Sequence, residues 1–179
     1  MDLFQIHTKI LMPFVDETIK ALSDMTDLTA VAGQGEQDDV DSYDLKDFAV
    51  CVVARTFGRI EGKVVMNHQN KTALTIGNRL LAKMFGEPHN FTEINAEIGE
   101  ALTEFSNTVI GLATRTLSNS NAQLEFSAPL FIDGPVDVEF LMDGVKEILS
   151  VPIDITGVGT FSFSYLLHQK TNWNEAQAC

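Results

Sequence analysis

The longest periodic stretch of the sequence predicts a helix that begins at about Phe91 or Thr92 and ends at about Leu117. At about 100° per residue, one side of this helix faces a core. Its members are Ile98, Leu102, Phe105, Val109, Leu112 and Thr116. The opposite side carries a narrow acidic line, which we call the stripe and which comprises Glu93, Glu97, Glu100, Glu104, Asn107, Gly111 and Arg115. The pattern therefore predicts a helix that packs along one face only.

The stripe has two interpretations. A run of glutamates on a helix is commonly no more than a solvated surface. Against this, like charges spaced i, i+4 repel, so Glu100 and Glu104 add no stability to the helix. Asn107 and Gly111 are poor choices within a helix and cost about 0.5–1 kcal/mol each relative to Ala. Because a glycine also leaves room for a second backbone, the stripe is a candidate docking surface.

The first half of the chain predicts a helix, a loop, a β-hairpin and a second helix. Residues 13–28 have helical periodicity, and Pro13 suits a first helical turn. The stretch from Gly33 to Asp47 is acidic, with little apolar content, and is expected to be a solvated loop. The remaining segments are strands at Phe48–Phe57 and Ile60–His68 and a helix at Lys71–Phe85 that Gly86 ends.

The last third of the chain predicts strands. These are Leu124–Ile132, Val136–Met142, Val145–Ile155 and an alternating strand through Phe161, Phe163 and Tyr165. Asp143-Gly144 is a two-residue hairpin signal, and Pro152 indicates an edge position or a bulge. The predicted fold class is therefore α+β, with long helices packed on one side of a largely antiparallel sheet.

Length and charge limit the classes of function. A chain of 179 residues is expected to be a single domain, with a core over about residues 10–167 and a polar tail over 168–179. The net charge of −13 disfavours nucleic acid and anionic membranes as partners. The longest apolar run, Phe48–Ala54, is far below the roughly 18 residues of a membrane span. With no secretory signal at the N-terminus, a cytoplasmic location is expected.

Motifs for other chemistry are absent from the sequence. The four histidines are widely dispersed, without the spacing of metal ligands. There is no P-loop, no GxGxxG after a strand and no GxSxG. We therefore expect neither a metal nor a cofactor of the protein's own.

The segment Ala101–Leu117 resembles the signature helix of the CheX-type chemotaxis phosphatases, relatives of CheC. Their motif is Asp or Ser, three residues, Glu, two residues and Asn on a long exposed helix. Three further segments resemble the family in the family's order: Thr56–Lys63, Ala73–Gly86 and Ser127–Gly134. The spacing Glu-x-x-Asn alone is weakly specific, because Glu87 and Asn90 also match it across a turn at Pro88. The similarity over most of residues 10–167 implies a CheC-like fold.

The resemblance also implies an activity. Members of the family hydrolyse the aspartyl phosphate of a CheY-like receiver domain, which brings its own Mg²⁺. Asn107 would orient the attacking water, and Glu104 would pair with the active-site lysine of the receiver. Glu100 stands where the family has Asp or Ser, and with Gly111 it would belong to the surface that binds the receiver. A homodimer joined through sheet edges is also expected by resemblance.

CheC relatives often carry a second motif on the first helix. Here the matching segment is Val15–Leu22, in which Lys20 stands where Asn would be needed. A charged lysine cannot accept a hydrogen bond from water, so one active site is expected, as in CheX. The alternative for the whole chain is a non-catalytic module of the same fold that binds a receiver or another partner.

Overall fold

The computed structural model describes residues 3–43, 50–58, 60–118, 124–133 and 138–168. The helices are α1 (Leu3–Ile6), α2 (Met12–Thr26), α3 (Asn70–Phe85), α4 (Ala96–Ser118) and α5 (Val138–Met142). A π-helical turn, His7–Leu11, joins the first two. The strands are β1 (Ala30–Ala32), β2 (Glu36–Asp38), β3 (Val50–Gly58), β4 (Gly62–His68), β5 (Leu124–Phe126), β6 (Leu130–Asp133), β7 (Glu147–Ile155) and β8 (Gly159–Leu167).

The eight strands form one antiparallel sheet in the order β1-β7-β8-β4-β3-β5. Two short strands extend its ends, β2 on β7 and β6 on β3. The predicted hairpin is confirmed, because β3 and β4 pair from Val50 with His68 to Thr56 with Gly62. Gly157, in the turn between β7 and β8, and Gly159, the first residue of β8, both have positive φ.

The long helices α2, α3 and α4 pack on one face of the sheet, which confirms the predicted arrangement. Fully buried Phe14, Phe105 and Phe163 lie in this main core. A smaller core on the opposite face lies beneath α5 and contains Cys51, Val53, Val65, Leu141, Ile148 and Leu166. The helical layer thus covers one face almost entirely and holds α4 with its far side in solvent.

The prediction of a strand at Val136–Met142 is wrong. Residues 138–142 form α5, and residues 136 and 137 lie outside the described residues. The hairpin predicted at Asp143-Gly144 is wrong too, because this turn joins α5 to β7. Buried Lys63 explains the helix: its Nζ donates to the carbonyl oxygens of Phe140, Leu141 and Asp143 at 2.9, 2.9 and 3.1 Å. Hydrogen bonds from a residue distant in the sequence thus favour a helix where the alternation of apolar and polar residues predicted a strand.

Two other segments differ from the predictions. The acidic loop at 33–47 contains β2, in which Glu36 and Asp38 pair with Ser150 and Ile148 of β7, and residues 44–47 lie outside the described part. The strand predicted at Leu124–Ile132 is divided at residues 127–129 into β5 and β6, which both pair with β3. Short strands at sheet edges carry too few residues for periodicity to reveal them.

The proline of β7 lies where the edge of the sheet is interrupted. Pro152 falls between the β1 and β2 pairings, and its carbonyl oxygen accepts a hydrogen bond from the Gly33 N–H at 2.7 Å. Its nitrogen faces the same gap, so no ladder bond is lost. β7 is therefore not an edge strand, and the extra residue lies opposite it: residues 33–35, between β1 and β2, face Val151 and Pro152.

Candidate functional site

Helix α4 begins later than its periodicity predicted. Asn95 precedes the first turn, and its Oδ1 accepts a hydrogen bond from the Ile98 N–H at 2.9 Å. The start predicted at Phe91 or Thr92 is therefore wrong, and Glu93 lies before the helix rather than on it. An asparagine cap satisfies an N–H group that has no partner within the helix, which fixes the first turn.

The segment before α4 is held by an amide of α3. Asn78 donates to the carbonyl oxygen of Phe91 at 2.9 Å and accepts from the Phe91 N–H at 2.8 Å. Gly86, at φ 74°, ends α3 and turns the chain towards this segment. Together these contacts set where the first turn of α4 sits on α3.

One face of α4 is buried as predicted. Ile98, Leu102, Phe105 and Val109 are fully buried against the main core. Leu112 is only half-buried, and Thr116 is exposed.

Thr116 still faces the protein, because its hydroxyl donates to Glu17 Oε1 of α2 at 3.2 Å. Glu17 thus joins α2 to α4. In the segment Val15–Leu22, where a second motif would lie, Glu17 therefore has a structural role. Lys20, three residues later, is exposed.

The opposite face of α4 carries the rest of the stripe. Its six members on the helix are all exposed: Glu97, Glu100, Glu104, Asn107, Gly111 and Arg115. Glu104 and Asn107 are separated by about 4.5 Å along the helix axis and about 60° around it. Within the described part of the chain, neither side chain makes a hydrogen bond or an ion pair. A carboxylate and an amide thus point into solvent together, one helical turn apart.

Gly111 leaves the stripe open one turn beyond Asn107. Among the described residues, nothing lies within 4 Å of the position that a Cβ would occupy there. Gly111 has ordinary helical backbone, so no turn or positive φ requires a glycine. The space it leaves is on the solvent side of the helix, where a partner could approach the backbone closely.

An apolar groove that the sequence did not predict lies beside the stripe. The groove has a volume of about 650 Å³ between the end of α3, the first half of α4 and β6. Its apolar lining includes Leu81, Met84, Phe85, Ala96 and Phe131, and Glu97, Glu100 and Glu104 lie on its α4 side. The only signal in the sequence was the pair Met84-Phe85 at the exposed end of a helix.

Two features of the structure bear on the other classes of function. Among the described residues, no group of three or more His, Cys, Asp and Glu side chains is placed to hold a metal ion. None of the described helices is both long and apolar enough to cross a membrane.

A family model described as "Chemotaxis phosphatase CheX" matches residues 50–149. This range includes the hairpin of β3 and β4, helix α3 and the whole of α4 with its stripe. The chain belongs to the CheX family. No curated protein matches the chain.

Solved structures show the same fold. A CheC-like superfamily protein from Shewanella sp. PV-4 is 18% identical, with a TM-score of 0.71, over 90% of this chain and 99% of that one. CheX from Desulfovibrio desulfuricans is 20% identical, with a TM-score of 0.67, over 88% and 98% of the two chains. A chain of the CheX–CheY–BeF3–Mg complex from Borrelia burgdorferi is 20% identical, with a TM-score of 0.68, over 89% and 98%. The fold is therefore CheC-like, as the sequence resemblance implied.

Proposed function

We propose that this CheX-family protein hydrolyses the aspartyl phosphate of a CheY-like receiver domain. The observation that carries the proposal is the pair Glu104 and Asn107, exposed and without partners among the described residues on the outer face of α4. The pair lies in the segment that resembles the signature helix of the family. The Borrelia relative, solved in a complex with CheY, BeF3 and Mg, supports a receiver as the partner.

Hydrolysis of an aspartyl phosphate requires few catalytic groups from the enzyme. An acyl phosphate is already activated, so hydrolysis requires a water in line with phosphorus and stabilisation of charge rather than a nucleophile from the protein. An amide can donate and accept hydrogen bonds while staying neutral. We assign Asn107 to hold the attacking water in line. Its position on a rigid helix allows it to enter the receiver's active site without a change in its own backbone.

Glu104 would anchor the helix in the receiver. A carboxylate can form a charge-assisted hydrogen bond with a lysine ammonium group. Because Glu104 is one turn before Asn107 on the same face, pairing with the active-site lysine would set the depth of the amide. Glu100 and Gly111 would flank this pair on the docking surface. The Mg²⁺ is expected on the receiver, and we assign no metal ligand to this chain.

Two further features belong to the proposal. One is a cytoplasmic location, where a receiver would be met. The other is a homodimer joined through sheet edges. The two ends of the sheet are formed by β1 with β2 and by β5 with β6, so the last third of the chain does supply one edge.

The test is the decay rate of phosphorylated receivers from the same organism, measured with the wild-type protein and with Asn107→Ala and Glu104→Ala variants. The matched control is Asn90→Ala, because Glu87 and Asn90 repeat the Glu-x-x-Asn spacing on an exposed turn after α3. We expect the wild type and the control to speed decay equally, and both α4 variants to lose the effect. If no receiver decays faster with the wild type, the proposed activity is wrong.

A further inference from the structure

The groove beside the stripe exposes apolar surface that the fold does not need to expose. Met84 is 58% exposed and Phe85 is 60% exposed, although the other apolar residues of the same helix are buried or partly buried. Their neighbours in the groove include half-buried Phe131. Contiguous apolar surface rimmed by polar groups is typical of an interaction site, whereas single exposed apolar residues are ordinary.

Two of the aromatic walls of the groove contact neighbouring parts of the protein. The Phe131 ring lies so close to α4 that a Cβ added to Gly99 would be 3.0 Å from two of its carbons. On the α3 side, the Phe85 ring has its centroid 5.5 Å from that of His89. A groove with walls held in this way loses little conformational entropy when it is filled.

The charge on the rim restricts the occupant. Glu97, Glu100 and Glu104 line the α4 side, and the single ion pair among the described residues, Lys83 with Asp27, lies elsewhere. The carboxylates of the rim are therefore not neutralised by the described part of the chain. An apolar side chain that enters here meets negative charge, so a basic neighbour on the same partner would be stabilised.

We propose that this groove binds an apolar side chain of the receiver's docking surface, next to a lysine or arginine of the receiver that pairs with Glu97 or Glu100. The inference rests on the proposed function and deepens it. We infer that the receiver fills the groove because the groove and the stripe form one continuous surface, with Glu100 and Glu104 belonging to both. A receiver whose active site reaches Glu104 and Asn107 necessarily lies over one end of the groove. The groove then selects which receivers bind.

The experiment measures the dissociation constant of this protein for receivers from the same organism, each trapped with beryllofluoride and Mg²⁺. The variants are Met84→Ser and Phe85→Ser, with Phe85→Leu to retain an apolar side chain. Phe4→Ser is the matched control, since Phe4 is 73% exposed on α1 and does not line the groove. We expect the two serine variants to weaken binding on the order of tenfold. The control and Phe85→Leu should bind within about twofold of the wild type, below the tenfold effect expected of an interface anchor.

Each outcome separates this inference from the proposed activity. Suppose that the serine variants bind a receiver more weakly, but that the wild type does not speed the loss of that receiver's phosphate. This result would support the groove and contradict the proposed phosphatase activity. Faster decay with normal binding by both serine variants would overturn the groove alone. If no receiver binds the wild-type protein, both proposals are wrong. Circular dichroism of each variant checks that the fold is retained.

Discussion

Replacing Gly111 with Ala should stabilise the protein and weaken its binding to the receiver. Gly111 lies within α4 with helical backbone and, among the described residues, has nothing within 4 Å of an added Cβ. The methyl group therefore meets no clash, and the gain is the difference in helix propensity. That difference is about 0.5–1 kcal/mol, part of which comes from the reduced entropy of the unfolded chain. For a chain of this size it raises Tm by roughly 1–4 °C.

The assays are urea unfolding and calorimetry, with Gly157→Ala as the control. Gly157 also has nothing within 4 Å among the described residues, but its φ is 74°. An alanine there is strained, so we expect a loss of about 1 kcal/mol rather than a gain. Opposite changes in stability for the two variants would show that the backbone conformation of the glycine, and not the available space, determines the effect of the substitution. A Gly111→Ala variant that is less stable than the wild type would refute this reasoning.

The same variant tests the docking surface. If a receiver approaches the backbone of α4 at Gly111, the added methyl group should raise the dissociation constant although the fold becomes more stable. A loss of stability cannot then explain weaker binding. Unchanged receiver binding by Gly111→Ala would show that the glycine is not part of the contact.

Three other variants test the supports of the fold. Asn95→Ala removes the cap of α4 and should lower the free energy of unfolding by about 0.5–2 kcal/mol, measured by urea unfolding. Lys63→Met removes the donor to three carbonyl oxygens at the end of α5 and should cost about 1.5–3 kcal/mol in the same assay. His68 is stacked on Phe161, and burial lowers its pKa to about 3 from an ordinary 6.5. The unfolded chain therefore binds the extra proton between these pH values, so stability falls by up to about 1.4 kcal/mol per pH unit as the pH decreases through this range. His68→Phe should remove that part of the pH dependence, and an unchanged slope would contradict the assignment.

The exposed face of α4 could be predicted because its signals are local. The stripe, the buried face of α4 and the glycine that ends α3 follow from helical periodicity and from one residue at a helix end. These features do not depend on what packs against them from afar. The roles of Glu104 and Asn107, in contrast, came from resemblance, since exposure alone does not distinguish a catalytic amide from a solvated one.

The features that the sequence did not predict depend on distant contacts. Residues 138–142 form a helix because Lys63 of β4, which is distant in the sequence, donates hydrogen bonds to carbonyl oxygens at the end of that helix. The strand β2 exists through its pairing with β7, more than a hundred residues later. The groove joins α3, α4 and β6, so no single segment shows more of it than the pair Met84-Phe85. Periodicity within a window cannot detect any of these.

The central claim is that Asn107 acts in the chemical step and not in binding. The direct measurement is dephosphorylation of a receiver by Asn107→Ala at saturating concentration, beside the dissociation constant for the beryllofluoride-trapped receiver. We predict a fall in kcat of about a hundredfold or more, with a dissociation constant within a few-fold of the wild type. A variant that retains kcat, or that loses activity only in proportion to weaker binding, would show that Asn107 does not position the water.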